Sequence, residues 1–164
     1  GVRTTQGLAY GMANAIRPGK TPLSSMSPTI VMKDGKPVLS VGAAGGPRII
    51  TSTLQLIINN LDYGMMMDSA VKHPHMCCLT LNQGLELEEG FSPDTIRLLA
   101  AKGHIIKSTT DFGELLVMPN GIRNIDGTLF PGGTSRVDGG GGALTASGTM
   151  AIDGLCFIDE KLTK

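Results

Sequence analysis

The chain has 164 residues and a formal net charge of zero, fourteen Lys and Arg balancing fourteen Asp and Glu. That length suits one modest domain, and the neutral balance gives no electrostatic ground for a nucleic-acid partner. Hydrophobic residues at 41% against 17% charged exclude a disordered chain, and 23 glycines against six Tyr and Phe with no Trp leave the core to aliphatic residues and Met.

No apolar run approaches the ~20 residues of a membrane span, and no basic-then-apolar signal pattern stands at the N-terminus. Cys77, Cys78 and Cys156 are too few, and odd in number, for a disulfide framework. Residues 1–28, rich in Gly, Pro, Ser and Thr, read as irregular surface chain. A hairpin follows, residues 29–33 and 37–41 flanking Asp34-Gly35. The apolar density of both arms predicts strands covered on both faces.

After Gly42–Gly46 and Pro47 a helix is expected. Ile50, Leu54, Ile57, Ile58 and Leu61 fall on one face, which Ile49 and Leu56 widen. Pro47 suits the first helical position and Gly64 the end. A short helix from Asp68 to Lys72 stops before Pro74. Leu79 to Glu88 alternates as a strand, with Leu79, Leu81, Leu85 and Leu87 apolar. Ser92 caps a helix, with Pro93 at its first position, Asp94 in its first turn, and Phe91 placed to pack on Ile96. That helix runs to Lys102 and stops at Gly103. Ile105-Ile106, residues 115–118 and Thr128–Phe130 read as short strands, with turns at Asn120-Gly121 and Asp126-Gly127. The Gly139–Gly142 run disfavours a regular element, and residues 143–164 read as a tail or covering segment.

Candidate chemistry sits in two stretches. Ser24 and Ser25, adjacent hydroxyls after a Pro, either donate to one anionic guest or cap a turn. Gly45-Gly46 lets the backbone approach a guest at a helix start, a nest for phosphate, carboxylate or oxyanion. The alternative there is a strand-to-helix turn that needs Gly only for tight packing. The chain lacks the Gly-Lys-Ser/Thr or G-x-G-x-x-G pattern of a nucleotide site. His73, His75, Cys77 and Cys78 form one pile of ligand types without a second pair, so a loop with its Cys pair in the core is expected rather than a metal site. Glu86 and Glu88 share a strand face that reads as solvated.

These stretches carry a resemblance. Pro22-Leu23-Ser24-Ser25-Met26-Ser27-Pro28-Thr29, followed by Gly45-Gly46-Pro47-Arg48-Ile49-Ile50-Thr51, closely resembles the small subunit of gamma-glutamyltransferases. Residues 13–16, 18–20, Leu61-Asp62-Tyr63-Gly64 and Glu88–Thr95 are similar to that family as well, over about residues 8–138 in register. The resemblance implies an α+β fold, part of the four-layer αββα sandwich of the N-terminal-nucleophile hydrolases. It divides the chain into a family segment, 1–138, and a Gly-rich linker with a tail, 139–164. It implies transfer or hydrolysis of a gamma-glutamyl group, from compounds such as glutathione, through an N-terminal Thr whose own amine is the base.

By position, Ser24 and Ser25 would hold the substrate's α-carboxylate, and Gly45 and Gly46 would form the oxyanion hole. The nucleophilic Thr and the acidic residue for the α-amino group would stand upstream of Gly1; Thr4 and Thr5 lie outside the register. The partners implied are the large subunit and the upstream segment of the same precursor, with no cofactor and no metal, in a periplasmic, secreted or cell-surface setting. His75, Cys77-Cys78 and Thr134-Ser135 depart from the family pattern, which has Arg, a His pair and Asp-Pro there. The alternative is a truncated, catalytically inactive light-chain-like binding or structural module.

Overall fold

The computed structural model describes residues 2–3, 9–10, 14–79, 84–110, 117–136, 141–144 and 150–153. Thr4, Thr5, Leu81, Leu115, Leu116, Gly139, Gly140 and Cys156 lie outside the described residues. The opening stretch, read as irregular, holds a two-residue antiparallel pair, β1 (Val2–Arg3) with β2 (Ala9–Tyr10).

The central sheet is antiparallel, in the order β3 (Thr29–Lys33), β4 (Lys36–Ala44), β8 (Met118–Ile125), β9 (Thr128–Gly132). Its two hairpin turns are the expected ones. Asp34 and Gly35 have φ of 50° and 75°, and Asp126 and Gly127 have 51° and 89°; both pairs adopt the left-handed backbone that two-residue hairpins require. The turns lie at the same end of the sheet. Asn124 ties them there, donating from Nδ2 to the Pro37 carbonyl and accepting from the Gly127 N–H, both at 2.9 Å.

Helices α1 (Ile49–Leu61) and α2 (Met67–Lys72) cover one face of this sheet. The core is Leu39 and Val41 of β4, Leu56 of α1, and Met67, Ala70 and Val71 of α2. The apolar face of α1 is covered only in part, with Leu56 in the core and Ile57 packed against it. Ile49, Ser52, Thr53, Leu56 and Asn60 are buried, whereas Ile50, Leu54 and Leu61 are exposed. An apolar stripe is covered only when something packs on it, and the small hydroxyls of Ser52 and Thr53 let α1 lie close to the sheet. The expectation of strands covered on both faces fails. Ile30 and Met32 of edge strand β3 point away from the helices and are 65% and 55% exposed.

Asn120-Gly121 is not a turn; it lies inside β8. Gly121 pairs directly with Gly132 of β9, and the two form a notch for Met67, which is wholly buried. A Cβ at Gly132 would sit 2.7 Å from the Met67 backbone, and one at Gly121 would sit 2.7 Å from the Ser40 carbonyl oxygen and 2.9 Å from Met67 Cε. These glycines therefore serve close approach of α2 rather than chain reversal.

A second sheet runs β5 (Met76–Cys77), β6 (Leu85–Glu88), β7 (Ile106–Thr110), antiparallel then parallel. Of the described residues in the longer strand expected from Leu79, Leu85–Glu88 are strand and Leu79 lies in a bend, while residues 80–83 lie outside the described residues. The parallel crossover carries α3 (Pro93–Ala101), capped by Ser92, whose Oγ accepts from the Thr95 N–H at 3.1 Å. Gly103, with φ of 91°, follows its end. Phe91 sets its ring edge-on to His73 at 6.4 Å. Contrary to the expectation for the glycine run and tail, Gly141–Leu144 forms β10 and pairs with β11 (Met150–Asp153). Ladder bonds to β11 supply the order that the glycines lack alone, and the hairpin packs beside β9. No helix among the described residues is long and apolar enough to cross a membrane.

The notch makes two substitutions diagnostic. Met67→Ala should cost ~2–5 kcal/mol through the cavity it leaves. Gly132→Ala should cost ~1–3 kcal/mol by overpacking, because the obstacle is backbone. Urea unfolding midpoints at one pH measure both, and a Gly132→Ala midpoint equal to the parent's would contradict the packing.

Candidate functional site

Because both hairpin turns lie at one end of the central sheet, the other end gathers the segments entering β3 and leaving β4. The β3–β4 ladder begins with Thr29 opposite Val41. Ser25 lies four residues before Thr29 and Gly45 four residues beyond Val41, so the paired serines and the paired glycines leave the hairpin at its same, open end.

The serine segment has no regular secondary structure and is held by bonds between residues two apart. The Met26 N–H donates to Ser24 Oγ at 3.2 Å, Ser27 Oγ to the Ser25 carbonyl at 3.1 Å, and Thr29 Oγ1 to the Ser27 carbonyl at 3.1 Å. Ser24 is exposed and Ser25 half-buried. The bond from Met26 is the local turn that sequence allowed as an alternative. It uses a lone pair of Ser24 and leaves the O–H free to donate. The loop before it, residues 14–17 and 20–23, lines a cleft of about 500 Å³ that stops one residue short of Ser24 and includes neither glycine.

Gly45 and Gly46 take φ of 143° and 60°, conformations that side chains rarely adopt. They lead into a 3-10 turn, Gly46–Arg48, closed by the Arg48 N–H donating to the Gly45 carbonyl at 3.3 Å. Pro47 occupies the start of that turn and α1 follows directly. The first N–H groups of such a start have no partner within the helix, and the dipole of α1 adds positive potential there.

Two buried carboxylates on β6 tie this end of the molecule together. Glu86 accepts from Arg48 Nη2 at 2.9 Å and Nε at 3.2 Å on one oxygen, and from Lys107 Nζ at 2.6 Å on the other. Glu88, wholly buried, accepts from Arg136 Nε at 2.8 Å and Nη2 at 2.5 Å, and from the His75 N–H at 2.7 Å. Arg136 also donates to the carbonyls of Val71 at 2.7 Å and His73 at 3.0 Å. The solvated face expected for Glu86 and Glu88 is thus overturned: both are buried, because arginines from elsewhere in the chain cover and neutralise them. Burial alone would raise both carboxyls. The hydrogen bonds and charges of Lys107 and Arg48 on Glu86, and of Arg136 and the His75 N–H on Glu88, outweigh it and hold both below the usual carboxylate range.

Burial and the charge of Arg136 push His75 down to about 4. Its Nδ1 lies 2.8 Å from Arg136 Nη2 and 2.9 Å from the His73 carbonyl oxygen, a donor and an acceptor on the same ring nitrogen. Among the described residues Nε2 is buried without a hydrogen-bond partner. The cysteine pair expected in the core is split: Cys77 on β5 is buried, whereas Cys78, just past the end of that strand, is exposed. Burial pushes the Cys77 thiol up, while a hydrogen bond from Thr51 Oγ1 at 3.5 Å and the charge of Arg48 oppose it. Gln55 completes the junction, its amide donating to the Met76 carbonyl at 2.9 Å and accepting from the Met76 N–H at 3.0 Å. Among the described residues no three His, Cys, Asp or Glu converge as a metal site would need.

Sequence reasoning left Arg48, Glu86, Glu88 and Arg136 without roles. The available signal was two glutamates on one face of an apolar strand, with Arg48 inside a motif already singled out.

The fold and these pairs define an α+β protein with a built junction between two sheets at the end carrying the serine and glycine pairs. Comparison with known proteins gives it a family. The family model for gamma-glutamyltranspeptidase matches residues 2–141. The glutathione hydrolase proenzyme of Escherichia coli (strain K12) is 47% identical over 124 residues, 74% of this chain and 21% of that protein. That of Pseudomonas sp. (strain A14) is 49% identical over 104 residues, 63% of this chain and 18% of its own. The crystal structure of the Helicobacter pylori gamma-glutamyltranspeptidase T380A mutant superposes with a TM-score of 0.70 at 36% identity, over 84% of this chain and 74% of that one. The chain belongs to the gamma-glutamyltranspeptidase family, and it spans about a fifth of the length of the curated relatives it matches.

The His75 environment sets a pH dependence. Unfolded, the ring takes up a proton as pH falls through about 6.5; folded, it resists until about 4. Stability should therefore fall as pH drops from 6.5 to 4, with a slope of up to ~1.4 kcal/mol per pH unit from this group. The depressed Glu86 and Glu88 add further loss only below the ordinary carboxylate range. Urea unfolding at pH 7, 6, 5 and 4.5 should show a flatter profile for His75→Gln, and parallel profiles would contradict the assignment.

Proposed function

We propose that this chain supplies the carboxylate grip and the oxyanion hole of an enzyme that transfers or hydrolyses gamma-glutamyl groups, with glutathione among its donors. The observation that carries the reading is the β3–β4 register, which brings Ser24-Ser25 and Gly45-Gly46 to the same end of one hairpin. Hydroxyls at that end donate to the donor's α-carboxylate without a counter-charge. Backbone N–H groups of the glycine turn meet the negative charge that develops on the amide oxygen during attack. The attacking Thr, with its own amine as base, is supplied by chain outside these 164 residues, and the same holds for the acidic group that takes the donor's α-amine.

The bare apolar surfaces support a covering partner. Ile30 and Met32 on the open sheet face, and Ile50 and Leu54 on the outer face of α1, are each more than half exposed. Sheets with one bare apolar face pack against a second layer, and we assign that layer to the large subunit of the same precursor.

The test is a chimera in which the matched 124-residue stretch of the Escherichia coli proenzyme is replaced by that of this chain. In the processed chimera, Ser24→Ala with Ser25→Ala should raise KM for a chromogenic gamma-glutamyl anilide by about 10- to 100-fold, the loss of hydrogen bonds to a charged group. The change in kcat should be smaller. An unchanged KM would remove the grip from this position.

A further inference from the structure

Neither the 3-10 turn nor α1 has a capping side chain: Gly45 and Arg48, the residues in the cap positions, make no side-chain cap bond. Two consecutive glycines at positive φ also carry the greatest backbone freedom to be lost. An oxyanion hole needs its donors fixed in advance, since a misplacement of ~1 Å costs on the order of 100-fold in rate. The turn's own backbone closure, Arg48 N–H to the Gly45 carbonyl, is long at 3.3 Å, so contacts from outside it are needed to complete its order.

Arg48 supplies the connection. Its guanidinium leaves the turn and puts Nε and Nη2 on the same oxygen of Glu86, 38 residues away. Glu86 is a rigid anchor. It sits on the central strand of the second sheet, paired with Cys77 on one side and Ser108 on the other. Lys107 Nζ holds its second oxygen at 2.6 Å, so the carboxylate cannot swing from Arg48 without leaving Lys107. Thr51 and Gln55, on the same side of α1, bond to Cys77 and Met76 of the adjoining strand. The first turns of α1 are thereby strapped to two neighbouring strands of that sheet, β5 and β6.

We propose that Glu86, acting through Arg48 and held by Lys107, is a positioning residue for the Gly45-Gly46 turn and thereby for transition-state stabilisation. The proposal rests on the oxyanion-hole reading of that turn. Glu86 touches no reacting atom; it sets where the two amides point.

The first arm uses the 164-residue chain itself. In Glu86→Gln, backbone 15N order parameters at Gly45, Gly46 and Arg48 should fall from the rigid range of ~0.85 to below ~0.6, with Leu39 and Val41 of β4 unchanged. Lys107→Ala, at a half-exposed side chain, should give the same pattern at smaller amplitude, and it decides the matter if Glu86→Gln does not fold. A uniform loosening of the chain, or a turn as rigid as the parent's, overturns the proposal. The second arm uses the chimera described above. Glu86→Gln should lower kcat about 10- to 100-fold with donor KM changed less than about twofold, and Arg48→Lys, which keeps charge but loses the fork, should recover only part of the loss seen in Arg48→Ala. Gly46→Ala is the reference. If it lowers kcat and Glu86→Gln does not, the positioning role falls and the oxyanion reading stands. If Gly46→Ala leaves kcat unchanged, the oxyanion reading falls and takes the positioning role with it.

Discussion

Two carboxylates on one short strand organise this molecule. Glu86 and Glu88 point the same way from β6, and each is gripped by an arginine distant in sequence, Arg48 at the start of α1 and Arg136 beyond β9. A buried ion pair costs desolvation that its attraction offsets only when geometry and hydrogen bonds are complete. Here they are: both oxygens of each glutamate are used, and Arg136 also satisfies two backbone carbonyls. What such pairs contribute most is orientation. They dock the helix-covered sheet onto the second sheet in one arrangement, where apolar contacts alone would tolerate sliding.

The rest of the architecture makes that docking matter. The two tight turns occupy one end of the central sheet, which leaves the other for the serine segment, the glycine turn and the chain leaving β9. Met67 seated between Gly121 and Gly132 sets how closely α2 approaches the sheet, and α2 in turn presents the Val71 carbonyl to Arg136. The site end is thus built from a packing constraint on one side and an electrostatic one on the other, with the glycine turn between them. Two positions that the sequence resemblance marks as unlike the family, His75 and Thr134, fall on this brace: the His75 N–H donates to Glu88, His75 Nδ1 lies 2.8 Å from Arg136 Nη2, and Thr134 Oγ1 accepts from the Arg136 N–H at 3.1 Å.

Signals that act over a few residues were readable in the sequence. The Asp34-Gly35 and Asp126-Gly127 turns, the Ser92 cap with Pro93 behind it, and the ends at Gly64 and Gly103 all follow from backbone preferences that need no tertiary partner. The two candidate pairs were singled out because the hydroxyls and glycines in those motifs carry the family resemblance. What failed depended on what lies opposite. The apolar stripe of α1 is real, yet only part of it is covered, Leu56 and Ile57 reaching the core while Ile50, Leu54 and Leu61 are exposed, since periodicity says which residues share a face but not which part of it is covered. Asn120-Gly121 has turn chemistry, but the close approach of Met67 explains its glycine. Glu86 and Glu88 looked solvated because nothing local announces that arginines 38 and 48 residues away come to meet them.

The claim that β6 holds the structure through paired charges is tested most directly by a double-mutant cycle on Glu88 and Arg136, read as unfolding free energies of Glu88→Gln, Arg136→Met and the double variant. Each single change strands a buried polar or charged partner and should cost ~3–5 kcal/mol, with the double variant less destabilised than the sum by ~2 kcal/mol or more. Losses that add to within ~0.5 kcal/mol would mean that the two side chains act independently, and the account of how the two sheets are held in place would be wrong.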